Sequence, residues 1–304
     1  LYFFLSKIIF FKATSIEFFV IERILLSFAI AGISGCDVAI LYESIDKNCN
    51  SEKIFSRYNL FSTSGFLVAA LTSSIFINIS MKMAAFATII PYGIAFLLSL
   101  FLIDVKNNKR EKPNIINSFK RVLKNRRFIF FIISIAFVSE IFQSVTVFLN
   151  QGQYVKCGIP YKYFGLILAF MQIISLITVK SYKISERFGR KKSILSMYLF
   201  ISISSLILAF TKSAVISVFC VGIISLSMSL ITPMATELEN KSIVNGDRAT
   251  ILSIYSMIEG IIATAVNPII GLAAKKSISC AFEFCFIIGL ISIIIFIGYC
   301  NKKK

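Results

Sequence analysis

Apolar residues run through this chain in long blocks separated by short polar turns, with little of the strict alternation of a half-buried strand. A block of about 20 apolar residues is the length of a helix that crosses a bilayer. Ten such blocks are read: 1–16, 18–44, 57–79, 83–104, 128–149, 161–182, 193–210, 214–238, 249–273 and 277–299. The first is the most interrupted, because it holds Lys7 and Lys12. The longest polar stretch is 105–127, which contains Pro113 and the segment IINSFKRVLKN. Ile115, Ile116, Phe119, Val122 and Leu123 in that segment fit a helix lying on a membrane surface.

Composition agrees with the block pattern. Hydrophobic residues make up 57% of the 304, charged residues 15%, and mean hydropathy is +0.84. Soluble domains are about 45–50% apolar with roughly a quarter of residues charged, so lipid is the expected solvent. The net charge of +17 would suit a nucleic-acid partner, but its placement argues otherwise. Positive charges collect in alternate loops: Lys47, Lys53 and Arg57; the cluster from Lys106 to Arg127; Lys183 to Lys192; Lys241; Arg248; and Lys302 to Lys304. That is roughly 22 charges on one side against about seven on the other, the cytoplasmic bias of membrane proteins. Ten spans put both ends of the chain on that side. No nucleic-acid partner is expected.

Seven cysteines carry no CxxC pairing and histidine is absent, so neither disulfides, a metal site nor a cofactor is expected. An enzyme is also not expected: the chain has no Gly-x-Ser-x-Gly elbow and no pair of intramembrane Asp residues. The chain begins at Leu1, inside an apolar block, which raises the expectation of a preceding segment.

A weak internal repeat suggests two halves. Block two ends in Tyr42-Glu43, followed by a polar turn and RYNLFS from Arg57; block eight ends in Glu237 and Glu239, followed by a polar turn and RATILS from Arg248. Paired six-helix halves joined by a long cytoplasmic linker are a transporter architecture. The expected domains are 1–104, a half with four spans; 105–127, a basic linker; and 128–304, a six-helix half.

The turn KISERFGRKK, 183–192, lies between blocks six and seven. It resembles the signature hairpin of the major facilitator superfamily, Gly-x-x-x-Asp-Arg-x-Gly-Arg-Lys. Glu186 stands at the Asp position, followed by Arg187, Gly189, Arg190 and Lys191, while Tyr182 stands at the first Gly. That departure implies looser packing of the flanking helices. ERILLSFAIAGISG, with Arg23 and Gly32, is similar to the family's arginine-glycine fourth helix, and GCDVAILYES and RATILS resemble a bacterial branch. The Gly-Pro motif of many drug–proton antiporters is absent from FSTSGFLVAALTSS.

The resemblance implies an all-α multi-pass transmembrane bundle of two pseudo-symmetric halves, in which the ten blocks are helices three to twelve. It implies that two further helices precede Leu1. It implies a hairpin that latches the cytoplasmic side, with Glu186 near the start of block three, around Arg57. It implies a secondary active transporter of the plasma membrane that moves a small solute by alternating access. Proton-coupled efflux is the expected form, by a monomer, with protons and membrane lipids as further partners. A non-transporting remnant or a membrane sensor stays open as the alternative.

Ionisable residues inside spans are costly and tend to face a cavity. Arg23, Asp37, Glu140 and Glu259 fall there, Glu140 and Glu259 near the middle of their blocks. Ser139, Gln143, Ser144 and Thr146 are read as sharing a side with Glu140. Glu140, Gln143, Glu259, Asp37, Arg23 and Asn267 are therefore the candidate substrate and proton pathway. Glu22 is placed near the outer boundary, in water. Gly32, Gly35, Gly65, Gly260 and Gly271 are read as packing contacts between helices.

Overall fold

A computed structural model describes residues 1–45, 49–102, 115–160, 163–243 and 248–301. Among them every regular element is helical. Every one of the ten apolar blocks becomes helix, but the first, α1 (Tyr2–Lys12), has only 11 residues. At 1.5 Å per residue it is about 16 Å long, half of what a bilayer core of about 30 Å requires. Block two is broken into α2 (Ile16–Ile33) and α3 (Cys36–Glu43), and α4 (Ser51–Ile79) and α5 (Met81–Ser99) follow. Residues 103–114, including Pro113 of the linker, lie outside the described residues; from Ile115 the linker forms α6 (Ile115–Lys124).

Block five is α7 (Arg126–Ser144), a π-helical turn (Val145–Leu149) and α8 (Asn150–Lys156). Block six is α9 (Phe164–Ser175), a 3₁₀ stretch (Leu176–Lys180) and α10 (Ser181–Phe188). The last four are α11 (Arg190–Phe210), α12 (Ala214–Ser242), α13 (Arg248–Lys276) and α14 (Ile278–Asn301). Eight runs among the described residues are long and apolar enough to cross a membrane, and α4, at 29 residues, also has the length.

Helix starts follow local chemistry. The Asn50 side chain accepts from the backbone N–H groups of Glu52 and Lys53, satisfying donors that α4 leaves open. Ser80 caps α5 through Met83 N–H, and Asn125 caps α7 through Phe128 N–H. The break in block two lies at Gly35, whose φ of 77° lies in the left-handed region that a glycine enters without a Cβ penalty.

The main core lies in the second half. α14 packs on α11 and α7, α11 on α12, and α13 on α7 and α14. Gly289 permits the closest of these approaches, since a Cβ there would meet Ser202 of α11. Near the hairpin, Phe128, Phe131, Tyr198, Phe296 and Tyr299 form a nested aromatic cluster, with Phe131 and Tyr299 centroids 5.3 Å apart. In the first part α1 packs on α2 and α5. α4 is the bridge between the two: it touches α5 on one side and α9, the 3₁₀ stretch and α12 on the other.

Three expectations change here. The apolar stripe of α6 does not lie wholly on a membrane surface: Val122 is buried and Phe119 half-buried against the second-half core, while Ile116 and Leu123 stay exposed. Gly32, Gly65, Gly260 and Gly271 are not close helix contacts, because a Cβ at each would meet nothing within 4 Å; of the five, only Gly35 is one. Glu22 is fully buried, paired with Lys7 Nζ at 3.2 Å, and not in water. A carboxylate in this apolar setting needs a cation beside it, and α1 supplies one.

Candidate functional site

The polar residues of α4 build a seam against the second half. Glu52, Ser56 and Asn59 are spaced i, i+4, i+7, so they lie along one face of the helix. Each finds a partner across the seam. Glu52 Oε2 accepts from Arg190 Nε at 2.9 Å and Nη2 at 2.7 Å. Ser56 Oγ meets Ser181 Oγ at 2.6 Å, both fully buried. Asn59 Nδ2 donates to Thr178 Oγ1 at 2.8 Å, and Thr178 donates to the Ser229 carbonyl at 2.6 Å. The seam is a ladder of discrete hydrogen bonds laid inward from the hairpin face.

The hairpin residues sit at the top of that ladder. Asn50, the cap of α4, donates to Glu186 Oε1 at 3.0 Å. Glu186 thus meets the N-terminus of α4 at Asn50, about two turns before Arg57. Arg190 also lies 3.5 Å from Glu237 Oε1, which Lys241 approaches to 2.5 Å. Glu52 and Glu237 are both 1% exposed, so one guanidinium links two buried carboxylates on α4 and α12. Gly189 has a φ of 81° at the turn into α11. Lys191 Nζ stands over the Tyr299 ring at 5.1 Å, joining the hairpin to the end of α14. Arg187 stands over the Phe188 ring. Tyr182, in the place of a glycine, supports Lys53 of α4 over its ring at 5.6 Å.

A second contact between the halves joins the break in block two to the start of α13. Ser253 Oγ donates to the Ser34 carbonyl at 2.5 Å. A Cβ on Gly35 would lie 2.7 Å from the Ala249 carbonyl oxygen and 2.8 Å from Ser253 N, so the backbones touch where Gly35 lacks a side chain. The Arg248 guanidinium covers the Tyr42 ring at 4.2 Å and reaches Glu43 at 4.0 Å.

Deeper in, three of the candidate pathway residues, Glu140, Glu259 and Asn267, lie on the packed pair α7 and α13. Glu140 is 7% exposed, and its Oε2 has no hydrogen-bond partner. Glu259 lies on α13, which packs against α7. One turn along, Ser144 donates to Asn267 Oδ1 at 3.3 Å, tying α7 to α13 just before the π-helical turn. Gln143 does not share this setting: it is exposed while Glu140 and Ser144 are buried. Asp37 is exposed at the α3–α4 contact, accepting from Tyr58 Oη at 3.0 Å. Arg23 stands apart on the flank of α2, 70% exposed, with Nε 3.3 Å from Glu22 Oε2.

A long-helix bundle with a hairpin of this sequence clasping a helix of the other half narrows the family choice, and a sequence comparison decides it. The family model described as Major Facilitator Superfamily matches residues 1–268. The chain belongs to the Major Facilitator Superfamily. No curated protein matches the chain at a level that counts as similar. Membership makes this a multi-pass membrane protein of a transporter family, and points to transport rather than enzymatic chemistry. In this superfamily chain the residues missed on sequence grounds are Glu52, Ser56, Asn59, Thr178, Ser181 and Glu237. For Glu52, Ser56 and Asn59 the one signal was the i, i+4, i+7 polar spacing at the start of α4, which reads equally as a span entering water.

Proposed function

We propose that the chain is a proton-coupled secondary transporter that moves a small solute by alternating access, here closed on its hairpin face. The α4 seam is the observation that carries this reading. Its polar contacts are discrete hydrogen bonds and one ion pair, so they can break together and be satisfied by water. Domains 1–104 and 128–304 are the two bodies that separate along it, with 105–127 as their tether. The density of Lys and Arg on the hairpin face supports a cytoplasmic orientation for it and for the end of α14, in the plasma membrane. A monomer contains both sides of the seam.

Glu140 and Glu259 supply the coupling. Two carboxylates on packed helices in a medium of low dielectric repel one another, and neither has an ion-pair partner among the described residues. Binding a proton relieves that repulsion. Asn267 and Ser144 offer neutral hydrogen-bonding groups to a solute beside them. Efflux is the direction we infer, with the solute class left to experiment. The test is compound-driven proton movement into or out of proteoliposomes, followed with a lumenal pH dye across a compound panel. Wild type moves protons with at least one compound and Glu140→Gln does not. Unchanged coupled flux in Glu140→Gln, at equal insertion, overturns the assignment.

A further inference from the structure

We propose that the second half carries a binding site for an uncharged N–H donor, made of the Ser229 carbonyl and the Thr178 hydroxyl. The Asn59 amide of the first half fills it while the seam is closed, and a primary amide of the solute fills it once the seam opens. The proposal rests on the reading of the seam as a gate. It gives the solute a chemical class, and it gives Pro233 a role in positioning the site.

The site begins with a missing donor. In an α-helix the N–H of each residue bonds the carbonyl four residues back. Residue 233 of α12 is proline, which has no N–H and whose ring crowds that carbonyl. The carbonyl so released is that of Ser229. An acceptor released inside a membrane span needs another donor. Two donors reach this one, both from outside α12. Thr178 Oγ1 donates at 2.6 Å, and Asn59 Nδ2 donates at 3.3 Å. Asn59 Nδ2 also donates to Thr178 Oγ1 at 2.8 Å, which closes a triangle of three hydrogen bonds.

Local geometry makes the triangle fit. Leu176–Lys180 is a 3₁₀ stretch with about three residues per turn, so Thr178 stands nearly above Ser181. Their partners on α4, Asn59 and Ser56, are also three residues apart. Thr178 is fully buried, while Asn59 and Ser229 are half-buried. Measured along their helices from the hairpin face, Asn59 lies at about 12 Å, Thr178 at about 16 Å and Ser229 at about 20 Å, near the middle of a bilayer core of about 30 Å. That is the depth at which alternating-access transporters bind their solutes.

Separation along the seam splits the triangle in one way. Thr178 and Ser229 both belong to the second half, so their bond survives. Asn59 leaves with α4. What remains is one open lone pair on the Ser229 carbonyl and one on Thr178 Oγ1, set where a single NH₂ group spans both. Asn59 thus shows the kind of group that the pair takes. A carboxylate or ketone oxygen would face the Ser229 carbonyl and be repelled. An ammonium would need a counter-charge, and among the described residues no carboxylate bonds any of the three groups. A neutral primary amide satisfies both acceptors without one. Solute and seam compete for the same acceptors, so a bound solute holds the seam open. The pair stands apart from Ser144 and Asn267, which tie α7 to α13.

The test uses the full chain in proteoliposomes, with Ser56→Cys, buried in the seam, as the one cysteine available for labelling. Three probes are compared: benzamide, N,N-dimethylbenzamide, which has no N–H, and benzoate. Benzamide is expected to raise the labelling rate by about threefold or more, and the other two to leave it unchanged. Thr178→Val, which keeps the shape and loses the hydroxyl, should abolish the benzamide response, and Thr178→Ser should keep it. Pro233→Ala returns an N–H to the Ser229 carbonyl and should weaken the response at unchanged thermal unfolding. In Asn59→Leu the half-maximal benzamide concentration should fall by about 3- to 30-fold, the factor by which that change raises the open population. Equal responses to benzamide and N,N-dimethylbenzamide, none included, or a benzamide response undiminished in both Thr178→Val and Pro233→Ala, overturn the site while the gate stands. Labelling that no probe raises and that Arg190→Ala also leaves unchanged overturns the gate, and the site with it.

Discussion

Removing the Arg190 guanidinium should open the hairpin face. In Arg190→Ala, Glu52 loses both of its charge-assisted hydrogen bonds and Glu237 loses one of its two cations, while each carboxylate stays 1% exposed. Stripping one partner from a buried pair costs about 3–5 kcal/mol; Arg190 is itself 25% exposed and Lys241 remains on Glu237, which lowers the expectation to about 2–3 kcal/mol. The cost falls on the closed state alone, because separation along the seam returns Glu52 to water. At 1.4 kcal/mol per factor of ten, the open population rises about 30- to 150-fold. A Ser56→Cys reporter in a background without other cysteines reads this directly, since Ser56 is fully buried in the seam. Its labelling rate with a water-soluble maleimide should rise by that factor. Glu52→Gln added to Arg190→Ala should recover part of the closed state, because it removes the stranded charge. A labelling rate unchanged by Arg190→Ala, in protein that still unfolds cooperatively, would refute the clasp.

Other substitutions test other parts. Gly35→Ala should lower Tm by several degrees, because its Cβ would press on the Ala249 carbonyl and the backbone there is left-handed; Gly65→Ala and Gly260→Ala, in open helical space, should be neutral or stabilise by about 0.5–1 kcal/mol. Lys7→Met should destabilise the first part by about 1–3 kcal/mol, because buried Glu22 keeps only the largely exposed Arg23 as a cation, and Glu22→Gln in the same chain should restore most of it, as thermal melts will report. Asn59→Leu removes the innermost rung of the seam and should raise Ser56→Cys labelling by about 3- to 30-fold, less than Arg190→Ala does, since it loses a neutral hydrogen bond to Thr178 worth about 0.5–1.5 kcal/mol and a longer, weaker one to the Ser229 carbonyl while Thr178 keeps its own bond.

Span positions were legible from hydropathy because lipid imposes one requirement on every crossing helix: a run of apolar side chains with internally satisfied backbone. The hairpin was legible because its Gly and Arg/Lys positions lie close together in sequence. The break at Gly35 was not, since SGC inside an apolar block reads as continuous helix until the approach of Ala249 is seen. The pairing of Lys7 with Glu22 was missed for a related reason: a hydropathy block treats each charge alone, and only the packing of α1 on α2 brings the two together. Glu140 and Glu259 stood out as rare charges at mid-span. Glu52 and Glu237 did not, because acidic residues near helix ends ordinarily face water, and the role of each depends on which helix stands opposite. Gln143 shows the limit of helical-wheel reasoning: three residues from Glu140, it still points away from the buried side.

Alternating access is tested most directly by paired distances across the two faces. Spin labels at Cys49 and Arg187→Cys report the hairpin face, and at Met83→Cys and Val155→Cys the opposite one; the four positions lie at or near their respective helix ends. Electron–electron resonance in lipid, over a range of pH and with a transported compound, should show the first distance lengthening as the second shortens, in the same fraction of molecules. Both distances staying fixed under every pH and compound, while the Arg190→Ala chain behaves the same way, would contradict a transporter that works by opening this seam.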